Sequence, residues 1–173
     1  MQYRKFSNLD WNVSEIGLGC WAIGSEWGEV SDVDARAVLK TSLDKGVNFF
    51  DTADVYGDGR SEKFVGELIK STSEKIFVAT KSGRRLNPHN AEGYNLKNIE
   101  RFIDRSLINL GIDCIDLLQL HCPPSKICPK KETYEMMDEI VKKGKIKYYG
   151  VSVEKVSEAL DAIKHPQVKS IQI

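Results

Sequence analysis

The sequence has no surplus of charge: 25 Lys and Arg are balanced by 25 Asp and Glu over 173 residues. That balance leaves no basic footprint for nucleic acid. It also lacks any apolar run approaching the ~20 residues that span a bilayer, so no membrane insertion is expected. Arg4 and Lys5 near the start are not followed by an apolar stretch, so no secretory leader is expected. Cysteine is sparse. Cys20, Cys114, Cys122 and Cys128 form no C-x-x-C pair, the usage of a cytoplasmic protein with reduced thiols. No low-complexity linker, shift in composition or internal sequence repeat divides the chain. One domain over residues 1–173 is expected, long enough to bury a core.

What is present is an alternation. Tyr3 to Val13 alternates around Asn8-Leu9-Asp10 and predicts a small hairpin. After it, short apolar runs predict strands at Ile16–Gly19, Val47–Phe50, Lys75–Thr80, Ile115–Leu120, Ile146–Val151 and Ser170–Ile173. Between them lie helical apolar faces: Ala35, Val38, Leu39 and Leu43; Phe64, Val65, Leu68 and Ile69; Ile99, Phe102, Ile103, Ser106, Leu107 and Leu110; Tyr134, Met137, Ile140 and Val141; Val156, Ala159, Leu160 and Ile163. Ser31 with Asp34 reads as a helix start, and Gly46, Gly111 and Gly144 as stops. Six strands with five intervening helices imply a parallel sheet covered by helices. A doubly wound sheet and a (β/α)8 barrel both fit. A barrel needs eight units and about 250 residues, so the barrel reading makes this the six-stranded N-terminal part of a longer protein, an incomplete TIM barrel.

The chemistry-bearing residues follow the strands. Asp51 comes after Phe50, Lys81 after Thr80, His121 after Leu120 and Ser152 after Val151, while Gln172 lies in the last strand. In a parallel barrel these ends open on one face, where reactive groups collect. Singly, each has a plainer reading: Asp51 as a turn cap, Lys81 as a solvated rim residue, His121 as a loop histidine. Together with Tyr56 they describe a proton donor. A phenol with pKa near 10 is a poor acid at neutral pH; a neighbouring ammonium lowers that value. Lys81 supplies the ammonium, Asp51 holds it, and His121 donates a hydrogen bond to the same substrate oxygen. Tyr56 is then a general acid for an alkoxide forming from a carbonyl, and a hydride cofactor completes the chemistry.

Three other patterns weigh less. Gly17-Leu18-Gly19-Cys20-Trp21-Ala22 matches G-x-G-x-x-A in letters, but about a dozen residues separate it from the next helix, so it is not a dinucleotide fingerprint. His121, Cys122 and Cys128 lack zinc-site spacing, and no metal is expected. Gly83-Arg84-Arg85 can touch an anionic substrate or cofactor, although such a pair is more commonly a solvated loop. Trp21 and Trp27 are candidates for shaping a pocket.

Phe50-Asp51-Thr52-Ala53-Asp54-Val55-Tyr56-Gly57, Thr80-Lys81 and Asp116-Leu117-Leu118-Gln119-Leu120-His121, with Gly17–Trp21 and Gly150-Val151-Ser152, resemble the aldo-keto reductase family along essentially the whole chain. The resemblance implies a (β/α)8 barrel reducing aldehydes or ketones with NADPH, NADH being the other possible donor. It implies Tyr56 as general acid and base, Lys81 and Asp51 as its tuning pair, and His121 as the carbonyl-orienting group. Gly19, Cys20 and Trp21 would line the cofactor and substrate mouth, and Ser152 and Gln172 would hold the nicotinamide carboxamide. Val153 departs from the Asn that many members carry there. Three alternatives stay open: a regulatory or binding module of the same fold, as in channel β-subunits, a barrel enzyme forming a Schiff base on Lys81, and an inactive fragment. A chain with only six strands is also expected to bind cofactor poorly by itself.

Overall fold

A computed structural model describes residues 1–6, 9–25 and 28–173. Asn8, the first residue of the expected turn, and Trp27, a candidate pocket residue, lie outside the described residues. Strands β1 (Tyr3–Lys5) and β2 (Asn12–Ser14) form an antiparallel hairpin, with Tyr3 opposite Ser14 and Lys5 opposite Asn12. A second sheet holds β3 (Leu18–Gly19), β4 (Phe49–Asp51), β5 (Phe77–Ser82), β6 (Ile115–His121), β7 (Ile146–Ser152) and β8 (Val168–Gln172). Its strands are all parallel and lie in chain order. Helices α1 (Asp32–Asp44), α2 (Arg60–Ser71), α3 (Leu96–Leu110), α4 (Lys131–Lys142) and α5 (Val156–Ala162) connect them. The sheet curls: Gln172 on β8 donates from Nε2 to Asp51 Oδ2 on β4 at 3.4 Å, although β5, β6 and β7 lie between. The architecture is therefore six of the eight strands of a (β/α)8 barrel, preceded by a hairpin, and not a doubly wound sheet.

Period-two alternation divides the core. Phe50, Val78, Leu118, Leu120, Tyr149 and Val151 face outward against the helices, meeting Leu39, Val65, Ile99, Ile103, Met137 and Ile140. Their neighbours along the strands, Phe49, Phe77, Ala79, Leu117 and Tyr148, face inward and pack with Leu9, Trp11 and Val13 of the hairpin segment. Trp11 stacks on Phe77 at 4.7 Å between ring centroids and meets the Tyr148 ring edge-on at 5.3 Å. The hairpin thus plugs the N-terminal end of the barrel interior. Asn48 holds it there: its Oδ1 accepts from Ser14 N at 2.7 Å and its Nδ2 donates to Asn12 O at 3.0 Å.

The strands run further toward their C-terminal ends than the apolar runs suggested. Asp51, His121 and Ser152 are the last residues of their strands, and Lys81 lies inside β5 with Ser82 after it. The reason is the ladder: Lys81 is paired in register with Gln119 and His121 with Ser152, so backbone pairing outlasts apolarity. The helix starts follow their caps. Ser31 Oγ accepts from Asp34 N at 3.1 Å, and Asn95 Oδ1 accepts from Asn98 N at 3.1 Å.

Two expected apolar faces are different in the structure. On α1, Ala35 and Leu39 are buried while Val38 is exposed. On α5, Val156, Leu160 and Ile163 are exposed, and Glu158 and Ala162 are buried instead. The Glu158 carboxylate accepts from Ser125 Oγ and from the backbone N–H groups of Glu154 and Lys155, which turns the helix away from the face its apolar spacing suggests.

Candidate active site

The inner-face alternation that starts with aromatic residues at the bottom of the barrel ends with Asp51, Lys81, His121 and Ser152 at the top. Lys81 is 2% exposed. Its ammonium donates to Asp51 Oδ2 at 2.6 Å, to Thr52 O at 2.9 Å and to Tyr56 Oη at 3.3 Å. A buried ammonium is costly without such compensation. Here a carboxylate, a carbonyl and a phenol oxygen surround it.

Tyr56 comes from the loop after β4, and that loop is held at several points. Thr52 N donates to Ala79 O at 2.8 Å and Asp54 N to Lys81 O at 3.2 Å, tying the loop to β5. Thr52 Oγ1 bonds Ser61 Oγ at 2.9 Å, which donates to Cys20 O at 2.8 Å. The loop also meets the segment after β3 backbone to backbone. A side chain at Gly57 would lie 2.4 Å from Gly24 O, and one at Gly24 would lie 2.7 Å from Gly57 N. Gly57 has φ +57°, so both space and conformation require glycine there. That approach brings the Trp21 ring over Tyr56, with centroids 6.1 Å apart. His121 stands edge-on to Tyr56 at 5.9 Å.

The electrostatics correct one expectation. Burial pushes the Tyr56 phenol above its ordinary range, and this outweighs the downward pull of Lys81's charge and hydrogen bond. Tyr56 is therefore a neutral O–H donor across the physiological range. Burial, with the charges of Lys81, Arg84 and His89 behind it, lowers His121 to about 3, so its imidazole is neutral. Tyr94 fixes its backbone by donating from Oη to His121 O at 3.2 Å.

Asp51, Tyr56, Lys81 and His121 thus come together, and Trp21, Tyr56 and His121 line one cavity of about 520 Å³. Ser152, paired with His121, and Gln172, paired with Ser152, continue the same inner face. Gly19 pairs with Asp51, and a side chain added there would meet no atom within 4 Å. Cys20 does not join the group through its side chain: its thiol is fully buried against Leu18 O, and burial raises it to about 12. Among the described residues, buried atoms without a partner on this inner face include Asp51 Oδ1, Gln119 Oε1, His121 Nδ1 and Ser170 Oγ. Gln119 escaped sequence reasoning because it sits in an apolar run; its inward parity with Lys81 was the available signal. The open space over Gly19, which is paired with Asp51, leaves room for a flat ligand at this edge of the site. Among the described residues, no three His, Cys, Asp or Glu side chains come together to hold a metal ion.

Known proteins share this fold and family. The model of the aldo/keto reductase family matches residues 15–173. An uncharacterized oxidoreductase of Bacillus subtilis, YqkF, is 33% identical over 176 residues, covering 100% of this chain and 56% of its own. The aldo-keto reductase yakc of Schizosaccharomyces pombe, whose name includes NADP(+), is 38% identical over 146 residues, 81% of this chain and 42% of its own. The solved holo form of aldo-keto reductase AKR11C1 from Bacillus halodurans superposes with a TM-score of 0.84 at 32% identity, over 99% of this chain and 56% of its own. The chain belongs to the aldo/keto reductase family. It spans about half the length of the curated relatives it matches.

Proposed function

We propose that the protein is a carbonyl reductase in which Tyr56 protonates the substrate oxygen. The observation that carries this reading is the Lys81 ammonium, buried and shared between Asp51, Thr52 O and Tyr56 Oη within 3.3 Å. When Tyr56 gives up its proton, the phenolate forms beside that ammonium, where a negative charge is stabilised most. Asp51 and Thr52 O hold the ammonium in place and offset its burial. His121, neutral, donates from a ring N–H to the same oxygen and so fixes the carbonyl above Tyr56. Trp21 closes one side of the cavity and limits water. In alcohol oxidation the phenolate takes the proton back.

A nicotinamide cofactor would be held over Gly19 by Ser152, Gln172 and Asp51, with Trp21 at its edge, and it supplies the hydride. Family membership and the NADP(+) in the name of the S. pombe relative favour NADPH. Small aldehydes and ketones are the substrate class. Lys81→Met tests the proposal: kcat for NADPH-dependent aldehyde reduction should fall by roughly 10²–10³-fold, while NADPH binding, followed by fluorescence, stays within a few fold. Unchanged kcat in a folded variant would sink it.

A further inference from the structure

The cavity above Tyr56 has a second polar feature that proton transfer does not use. Beyond Ser82 the chain turns at Gly83, which has φ +111°, and a side chain there would lie 2.6 Å from the Tyr94 ring. Leu86 N donates to Gly83 O at 3.1 Å, closing a tight turn with Arg84 and Arg85 at its two central positions. The two arginines have different surroundings. Arg85 is tied into the fold, donating to Asp54 O at 3.1 Å and pairing with Asp58 Oδ1 at 2.7 Å. Arg84 has no ion pair or hydrogen bond among the described residues, and it lines the cavity with Tyr56, His121 and Trp21.

We propose that Arg84 anchors a carboxylate carried by the substrate, so that the site takes carbonyl compounds bearing an acidic group. A guanidinium presents a planar fork that matches a carboxylate in two parallel hydrogen bonds. The other cation of the site cannot serve, because Lys81 is 2% exposed and already bonded to Asp51. Glu154 also lines the cavity but stands at its border, shared with a neighbouring cavity of about 270 Å³ walled by Lys155 and Glu158. No ion pair joins Glu154 to Arg84 among the described residues, so the fork stays available while the carboxylate opposes anions at the border. The field of Arg84 does reach the reaction centre: after burial and Lys81, it is the next cause that lowers His121. The inference rests on the carbonyl-reducing reading of Tyr56 for its substrate, but the anion site itself does not.

The test has a kinetic arm and a binding arm. The ratio of kcat/KM for 4-carboxybenzaldehyde to that for benzaldehyde should fall about 10- to 100-fold in Arg84→Gln, through KM, and recover in part in Arg84→Lys. Glu154→Gln should raise the ratio. In the second arm, benzoate and benzamide are titrated and followed by NMR shifts of the Trp21 indole and His121 ring protons. Benzoate should bind better than benzamide, and Arg84→Gln should remove the difference. An unchanged ratio, or benzoate binding unaffected by Arg84→Gln, overturns the proposal. Selective benzoate binding with no reduction of either aldehyde would uphold the anion site and refute the reductase reading.

Discussion

Asp54 sits two residues before Tyr56, fully buried, and its carboxylate has no side-chain hydrogen-bond partner among the described residues. Burial first, then the nearby Glu62, raises it from 3.8 to about 8, against the opposing charges of Arg85 and Arg105. The folded state therefore keeps a proton that the unfolded chain releases. Stability from this group is full below about pH 4, falls as pH rises, and is lost above about pH 8. Asp54→Asn should flatten that slope: urea melts should show the variant gaining on the parent between pH 5 and pH 8. A constant difference across that range would rule out the buried neutral acid. At this scale much was legible. Asp51, Tyr56, Lys81 and His121 share related positions in successive β-α units, and geometry brings them together as that spacing implies. The direction of the Tyr56 shift was not legible, because it depends on how much Trp21 and the loop bury the phenol. Arg84 and Arg85 were legible only as a pair that either touches an anion or lies in a solvated loop, since nothing in a dipeptide shows that Arg85 takes the structural bonds.

At the scale of elements, the order of strands and helices was legible because apolar runs of strand and helix period alternate, several of them bounded by a cap or a glycine. Their exact ends were not. β5 starts two residues later than its apolar letters suggest and runs through Lys81, a residue stabilised in the interior by Asp51 and Thr52, 30 and 29 positions away. Such pairing leaves no local trace. The rotation of α5 fails for the same reason: Glu158 bonds Ser125, 33 residues earlier. The hairpin's role as a plug was also hidden, since an alternating pair of strands does not say what it covers. Trp11 is its centre, 7% exposed and packed on Phe77, Tyr148 and Phe6. Trp11→Ala should cost about 3–5 kcal/mol by chemical denaturation. A loss under ~0.5 kcal/mol, the range of surface substitutions, would show that the hairpin is not part of the core.

For the whole molecule, curvature does the functional work. An open flat sheet would leave β4 and β8 far apart; here Asp51 and Gln172 touch across the interior, so groups 121 residues apart meet on one inner face. Strict β-α alternation made a parallel sheet legible but left a doubly wound sheet and a barrel both open; the family resemblance, carried by short motifs spread along the chain, implied the barrel. What remained illegible was the balance of forces inside the cavity: a neutral imidazole, a raised phenol and a guanidinium with no ion pair among the described residues. The central claim is that Tyr56 delivers the proton in carbonyl reduction, and Tyr56→Phe in the intact protein measures it most directly. The account predicts that aldehyde reduction with NADPH falls at least ~10²-fold, the usual size of general acid catalysis, while NADPH affinity changes little. A variant that keeps most of the parent kcat would contradict it.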